Sequence, residues 1–133
     1  LVRRLDDRRS MLRLAPRKPG SAWTKPNKER VARLAASGAM TPAGLAKVEA
    51  AKADGTWTKL DAVEALEVPK DLAAAFRSHA GSAAHFAAFP RSVKRGILEW
   101  IEQAKKPETR AKRVTETAAL AARNERANQW KPK

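Results

Sequence analysis

The sequence predicts a mainly α protein: a compact bundle of five or six short helices behind a basic N-terminal arm that is extended or β. Three observations predict this class. Helix starts that join a threonine cap to an early proline recur at Thr24-Lys25-Pro26 and Thr41-Pro42, and glycine stops follow at Gly38 and Gly55. Val93, Ile97, Trp100, Ile101 and Ala104 fall at i, i+4, i+7, i+8 and i+11, one apolar face of a helix. Alanine supplies 28 of the 133 residues, which suits close helix–helix approach. Leu, Ile, Val and Phe together number only 23, and the net charge is +14, a combination in which disorder has to be weighed. The repeated caps and stops decide against it. The length fits one core, divided as residues 1–22, a basic arm and loop; 23–123, a helical domain; and 124–133, a basic tail.

In order along the chain, Ser10 to Ala15 reads as a short strand or extended arm, with Met11 and Arg13 on one side and Leu12 on the other. A lone strand has no stability of its own. The arm is therefore expected to pair with a segment upstream of Leu1, with a second copy, or with a partner chain. Pro16, Pro19, Gly20 and Ser21 form a loop. Thr24 caps a helix with Val31, Leu34 and Ala35 as its stripe, and Thr41 caps the next, which carries Leu45 and Val48. Residues 61–66 read as a turn. Pro69 opens a helix with Leu72, Ala75 and Phe76, and Gly81-Ser82 opens one with Phe86 and Phe89, closed by Pro90. Ser92 caps the helix of the clean stripe, placing Trp100 in the core. Pro107 breaks it, and a last helix runs from Glu108 to Arg123 along Ala111, Val114, Ala118 and Ala121. The tail frays, with Trp130 able to dock back.

The residues exclude several chemistries. No cysteine is present, which removes disulfides, thiolate–zinc sites and a cysteine nucleophile, and suits a reducing, cytoplasmic setting. His79 and His85 are six apart across Gly81, not the i, i+4 pair that holds zinc, so no metal site is expected. Asp6-Asp7 sits among four arginines and reads as a salt-bridge cluster. There is no nucleophile elbow and no phosphate-cradling glycine loop. The expectation is a protein that is not an enzyme, with no catalytic residues and no cofactor. No run is long and apolar enough to cross a bilayer, and no apolar stretch follows Arg3, Arg4, Arg8 and Arg9 as an export signal requires.

Charge is the positive signal, with 28 Lys and Arg against 14 Asp and Glu. Candidate anion- or nucleic-acid-binding residues are Arg3, Arg4, Arg8, Arg9, Arg13, Arg17 and Lys18 in the arm. Lys25 and Lys28 follow at the first helix, then Lys105, Lys106, Arg110, Lys112 and Arg113. A merely solvated helical surface is the competing reading. Trp23 and Trp57 either stack on bases or plug the ends of the helical core, with their positions favouring the plug. No helix-turn-helix, zinc-finger or RRM pattern is present, so sequence-specific reading is not expected.

Several blocks resemble one family. They are Arg4-Leu5-Asp6-Asp7-Arg8-Arg9-Ser10, Ala15 to Ser21, Trp23-Thr24-Lys25-Pro26-Asn27-Lys28-Glu29-Arg30-Val31, Met40 to Leu45 and Ala50 to Trp57. Val68-Pro69-Lys70-Asp71-Leu72, Trp100 to Arg110 and Arg113-Val114 follow. They are similar to the bacterial YdeI/OmpD-associated family, also called bacteriocin-protection proteins. The resemblance implies a stress-response role against bacteriocins or cationic antimicrobial peptides, and in some members association with an outer-membrane porin. Two departures stand out. Members carry a further upstream segment ending in a Gly-Trp-Ile-Asp-like block, and this chain has His85-Phe86 where the family often has Phe-Phe. The expected function is therefore bacteriocin protection by binding, through a polycationic surface to nucleic acid or another polyanion. The alternative is an envelope- or porin-associated protein adaptor with incidental charge.

Overall fold

The computed structural model describes residues 2–129, so Trp130 and the docking expected of it lie outside the described residues. The chain is mainly α. A short hairpin, β1 (Val2–Arg4) and β2 (Ser10–Leu12), is followed by α1 (Lys25–Ala36), α2 (Pro42–Ala53), α3 (Asp61–Glu64), α4 (Lys70–Arg77), α5 (Ser82–Ala88), α6 (Arg91–Glu102) and α7 (Pro107–Ala122). The helix beyond the expected six is α3, a single turn read from the sequence as a turn.

The hairpin corrects the expectation that the arm needs a foreign partner. β2 pairs antiparallel with β1 of the same chain, Arg3 opposite Met11 and Arg4 opposite Ser10. The reversal is built on Asp6, whose carboxylate accepts the backbone N–H groups of Arg8 (2.9 Å) and Arg9 (2.8 Å) and the Arg9 guanidinium (2.6 Å). Asp7 pairs with Arg4 at 2.6 Å. The Asp6-Asp7 pair is thus the local salt-bridge cluster expected of it. The hydrogen bond from the Arg8 backbone, then that from the Arg9 side chain, holds the Asp6 carboxyl below its ordinary pKa. Met11 and Leu12 remain exposed.

The helix boundaries follow local chemistry. Thr41 accepts the Gly44 N–H at 3.2 Å, and Gly38 (φ 70°) and Gly55 (φ 78°) take the left-handed turn after α1 and α2. α6 starts at Arg91 behind Pro90, two residues earlier than a Ser92 cap implies. Leu66 closes α3 in the left-handed region (φ 59°), its N–H bonded to Val63 O while Glu67 N–H reaches Ala62 O. Glycine adopts that geometry freely, whereas a leucine there costs on the order of 1 kcal/mol or more.

Most of the core lies in α3–α7. Leu72, Phe76, Phe86, Phe89, Ile97 and Ile101 pack against α7, which presents Val114, Ala118 and Ala121. The alanines let α7 lie close against α4, α5 and α6. The two buried hydroxyls are satisfied: Ser82 Oγ donates to Phe76 O at 3.1 Å and Thr117 Oγ1 to Arg113 O at 2.8 Å. His79 Nδ1 lies 2.9 Å from Ala75 O and His85 Nδ1 lies 2.8 Å from Ala121 O, so each ring donates to a carbonyl and ties structure together.

Two expectations about the core need correction. On α6 the buried residues are Ile97, Leu98 and Ile101, while Trp100 is only partly buried at the rim, its ring under the Arg113 guanidinium. The inward face is turned by about one position, with Leu98 taking the place assigned to the indole. On α1 no residue is fully buried, and Leu34 is exposed. A second, smaller cluster instead gathers Trp23, Val48 and Ala51, with Val31 and Trp57 against them.

Candidate binding surfaces

The structure divides the fourteen candidate cations. Arg4 and Arg9 hold the hairpin turn, Lys28 pairs with Asp61, and Arg110 bridges Asp71 (2.6 Å) and Glu102 (3.1 Å). Arg17 lies 4.0 Å over the Trp23 ring and donates to Ser21 O and Ala22 O at 3.0 and 2.5 Å. Arg113 covers Trp100 and donates to its carbonyl. Those six are engaged internally. Arg3, Arg8, Arg13, Lys18, Lys25, Lys105, Lys106 and Lys112 are exposed and have no ion-pair partner among the described residues. Five lie in the arm and at the start of α1, and three at the α6–α7 turn and the first turns of α7. Lys105 and Lys106 also follow the negative C-terminal end of α6, where a cation is favourable without any ligand.

Trp23 and Trp57 meet with ring centroids 5.1 Å apart. Trp23 is 8% exposed, and Lys28 and Lys52 lie 5.3 and 5.9 Å from the Trp57 ring. Trp23 packs between Arg17 and Trp57, too covered to offer a face to a base. Beside it Arg17 and Lys18 join Lys47, a cation missed from the sequence, around a hollow of about 90 Å³ that Asp54 also lines.

Two ion-pair networks pin the helices. Glu64 accepts from Arg95 at 2.8 and 3.1 Å, and Arg95 also pairs with Glu99 at 2.7 Å. The Arg95 hydrogen bond outweighs burial and holds the Glu64 carboxyl below its ordinary pKa; the Arg110 hydrogen bond does the same for Asp71. A carboxylate with a lowered folded-state pKa contributes stability that is complete above its unfolded pKa and is lost as pH falls through the folded one. The urea midpoint is therefore expected to stay level from neutral pH to about 5 and to fall below about 4, the unfolded carboxyl range. Arg95→Gln should make that fall shallower, which urea melts across the acid range will check.

A third feature left no mark in the sequence. Between α4 and α5 lies an open hollow of about 470 Å³, walled by Leu66, Val68, Phe76 and Phe86. Ala73, Ala83 and Ala87 line it with small side chains, and Arg77 and Lys94 supply its charge. No Asp or Glu lines it. Val68, apolar yet 42% exposed, stands at its edge outside the core.

Among the described residues no group of three His, Asp or Glu is placed to hold a metal ion, and no helix is long and apolar enough to cross a membrane. Residues 1–47 match a family model described as a domain of unknown function (DUF8412). No curated protein and no solved structure matches the chain. Residues 65–124, which carry α4–α7 and most of the main core, match the model of the bacteriocin-protection, YdeI or OmpD-associated family.

Proposed function

We propose that this chain is a non-enzymatic bacterial protein of the bacteriocin-protection type, working in the cytoplasm by binding, with its exposed cations engaging nucleic acid or another polyanion. The observation that carries this reading is the set of eight exposed cations without ion-pair partners among the described residues, on a chain of net charge +14. Flexible lysines and arginines of this kind suit phosphate oxygens, and nothing beside them reads a base edge. The absence of cysteine fits a reducing compartment.

Engaging about five phosphates gives a slope of roughly −4 to −5 in log K against log salt on duplex DNA, with similar affinity for unrelated sequences. Reversal of Arg3, Arg8 and Arg13 to Glu is the informative variant, since Arg4 and Arg9 hold the hairpin turn. It is expected to weaken binding at least tenfold and to flatten the slope. A salt titration of fluorescent duplex and single-stranded DNA measures both. No binding at low salt, or binding indifferent to the reversal, overturns the reading.

A second reading, a protein adaptor with a partner such as a porin, is favoured by the apolar hollow between α4 and α5. Pull-downs of the protein with and without nuclease separate the two, since only captures bridged by nucleic acid disappear.

A further inference from the structure

We propose that the hollow between α4 and α5 is a docking groove for an acidic amphipathic helix of a protein partner. The helix seats apolar side chains against Val68 and Leu66, over a floor made by the buried Phe76 and Phe86, and its flanking carboxylates meet Arg77 and Lys94. This goes beyond polyanion binding and does not depend on it, because none of the arm or α6–α7 cations lines the groove.

Charge selects the partner's sign. The groove has two cations and no carboxylate in its lining, and neither Arg77 nor Lys94 is in an ion pair among the described residues. Lys94 spends one donor on Ala87 O at 2.8 Å, which fixes its ammonium at the end of α5. An acidic ligand gains two charge-assisted contacts there, and a cationic peptide is repelled.

Shape selects a helix. The hollow is open to solvent, whereas a site for a small amphiphile encloses most of its ligand. Ala73 on α4 and Ala83 and Ala87 on α5 keep the flanks low, so a third helix can approach the two as closely as packed helices do. Recognition of this kind uses anchors at i, i+3, i+4 or i+7 of the incoming helix. The remaining wall is Val68 and Leu66, the latter in a left-handed conformation that glycine would take without strain. The leucine packs one side of its chain on the main core and offers the other to the groove.

The test uses the full chain and a labelled synthetic helical peptide with Leu at i, i+4 and i+7 and Glu on the flanking positions. A matched peptide with Lys in place of Glu and dodecanoate serve as the other arms. The Glu peptide is expected to bind at least tenfold more tightly than the Lys peptide, with amide shifts confined to α4, α5, residues 66–68 and Lys94. Ala83→Trp, at an exposed helix position, should fill the groove and abolish binding while leaving the helical circular dichroism intact. Arg77→Glu with Lys94→Glu should reverse the preference between the two peptides, and Leu66→Gly should weaken binding of the Glu peptide. Equal binding of the two peptides, no binding of the Glu peptide, shifts elsewhere, or saturation by dodecanoate without the peptide each overturn the proposal.

Discussion

Ile101→Ala is expected to destabilise the protein by about 3–4 kcal/mol, while Trp100→Ala, one residue away, costs about 1–2 kcal/mol. Ile101 is 0% exposed and lies in the same buried cluster as Val114 and Ala118 of α7, so its truncation leaves a cavity that the surrounding helices cannot close. Trp100 loses its contact with the Arg113 guanidinium and some apolar cover, but solvent fills the space it leaves. By size alone the order would be reversed, since a tryptophan buries more area than an isoleucine. Urea denaturation of the two variants measures both costs. Equal losses, or a larger one at Trp100, would show that the indole belongs to the core.

The same pair of residues shows how far α6 could be read. Its existence, length and apolar face are local properties, and Ile97 and Ile101 are buried as the stripe requires. The face is broad enough, however, to admit either Leu98 or Trp100, and tertiary neighbours make the choice: Leu98 lies beside Ala62, Val63 and Pro69, while Trp100 sits under Arg113 of α7. The caps at Thr41 and the stops at Gly38 and Gly55 were legible because they are written within a few residues. The partner of β2 was not, because Val2-Arg3-Arg4 is too short and too charged to carry a periodic signal, and the pairing depends on a turn folded around Asp6. Among the cations, sequence shows charge but not which carboxylate faces it. Asp71 is 39 residues from Arg110, and Asp61 is 33 from Lys28. The α4–α5 groove was the least legible feature, since each of its residues has an ordinary place on its own helix and only their juxtaposition makes a site.

Trp23→Ala is expected to unfold the segment from the arm through α2 without unfolding α4–α7. The smaller cluster consists of Trp23, Val48 and Ala51 with Val31 and Trp57, so one indole supplies much of its apolar contact. Truncating a buried tryptophan costs about 3–5 kcal/mol, more than so small a cluster can lose and remain formed. Its links to the main body are few: Ala22 packs against the main core, Lys28 pairs with Asp61, and the Lys25 N–H lies 3.4 Å from Glu64. Collapse of one part therefore need not carry the other with it. Amide exchange reads this directly. Protection in α1 and α2 should fall by about two to three orders of magnitude, from 1.4 kcal/mol per tenfold, while α6 and α7 keep theirs. A uniform loss across all helices would mean the two clusters form one cooperative unit. The variant also bears on the cationic surface, because Trp23 holds Arg17 and, beside it, the loop that carries Lys18 and Lys47's hollow. If polyanion binding needs those cations in a fixed arrangement it weakens with α1 and α2, and if it needs only a flexible charged arm it survives their unfolding.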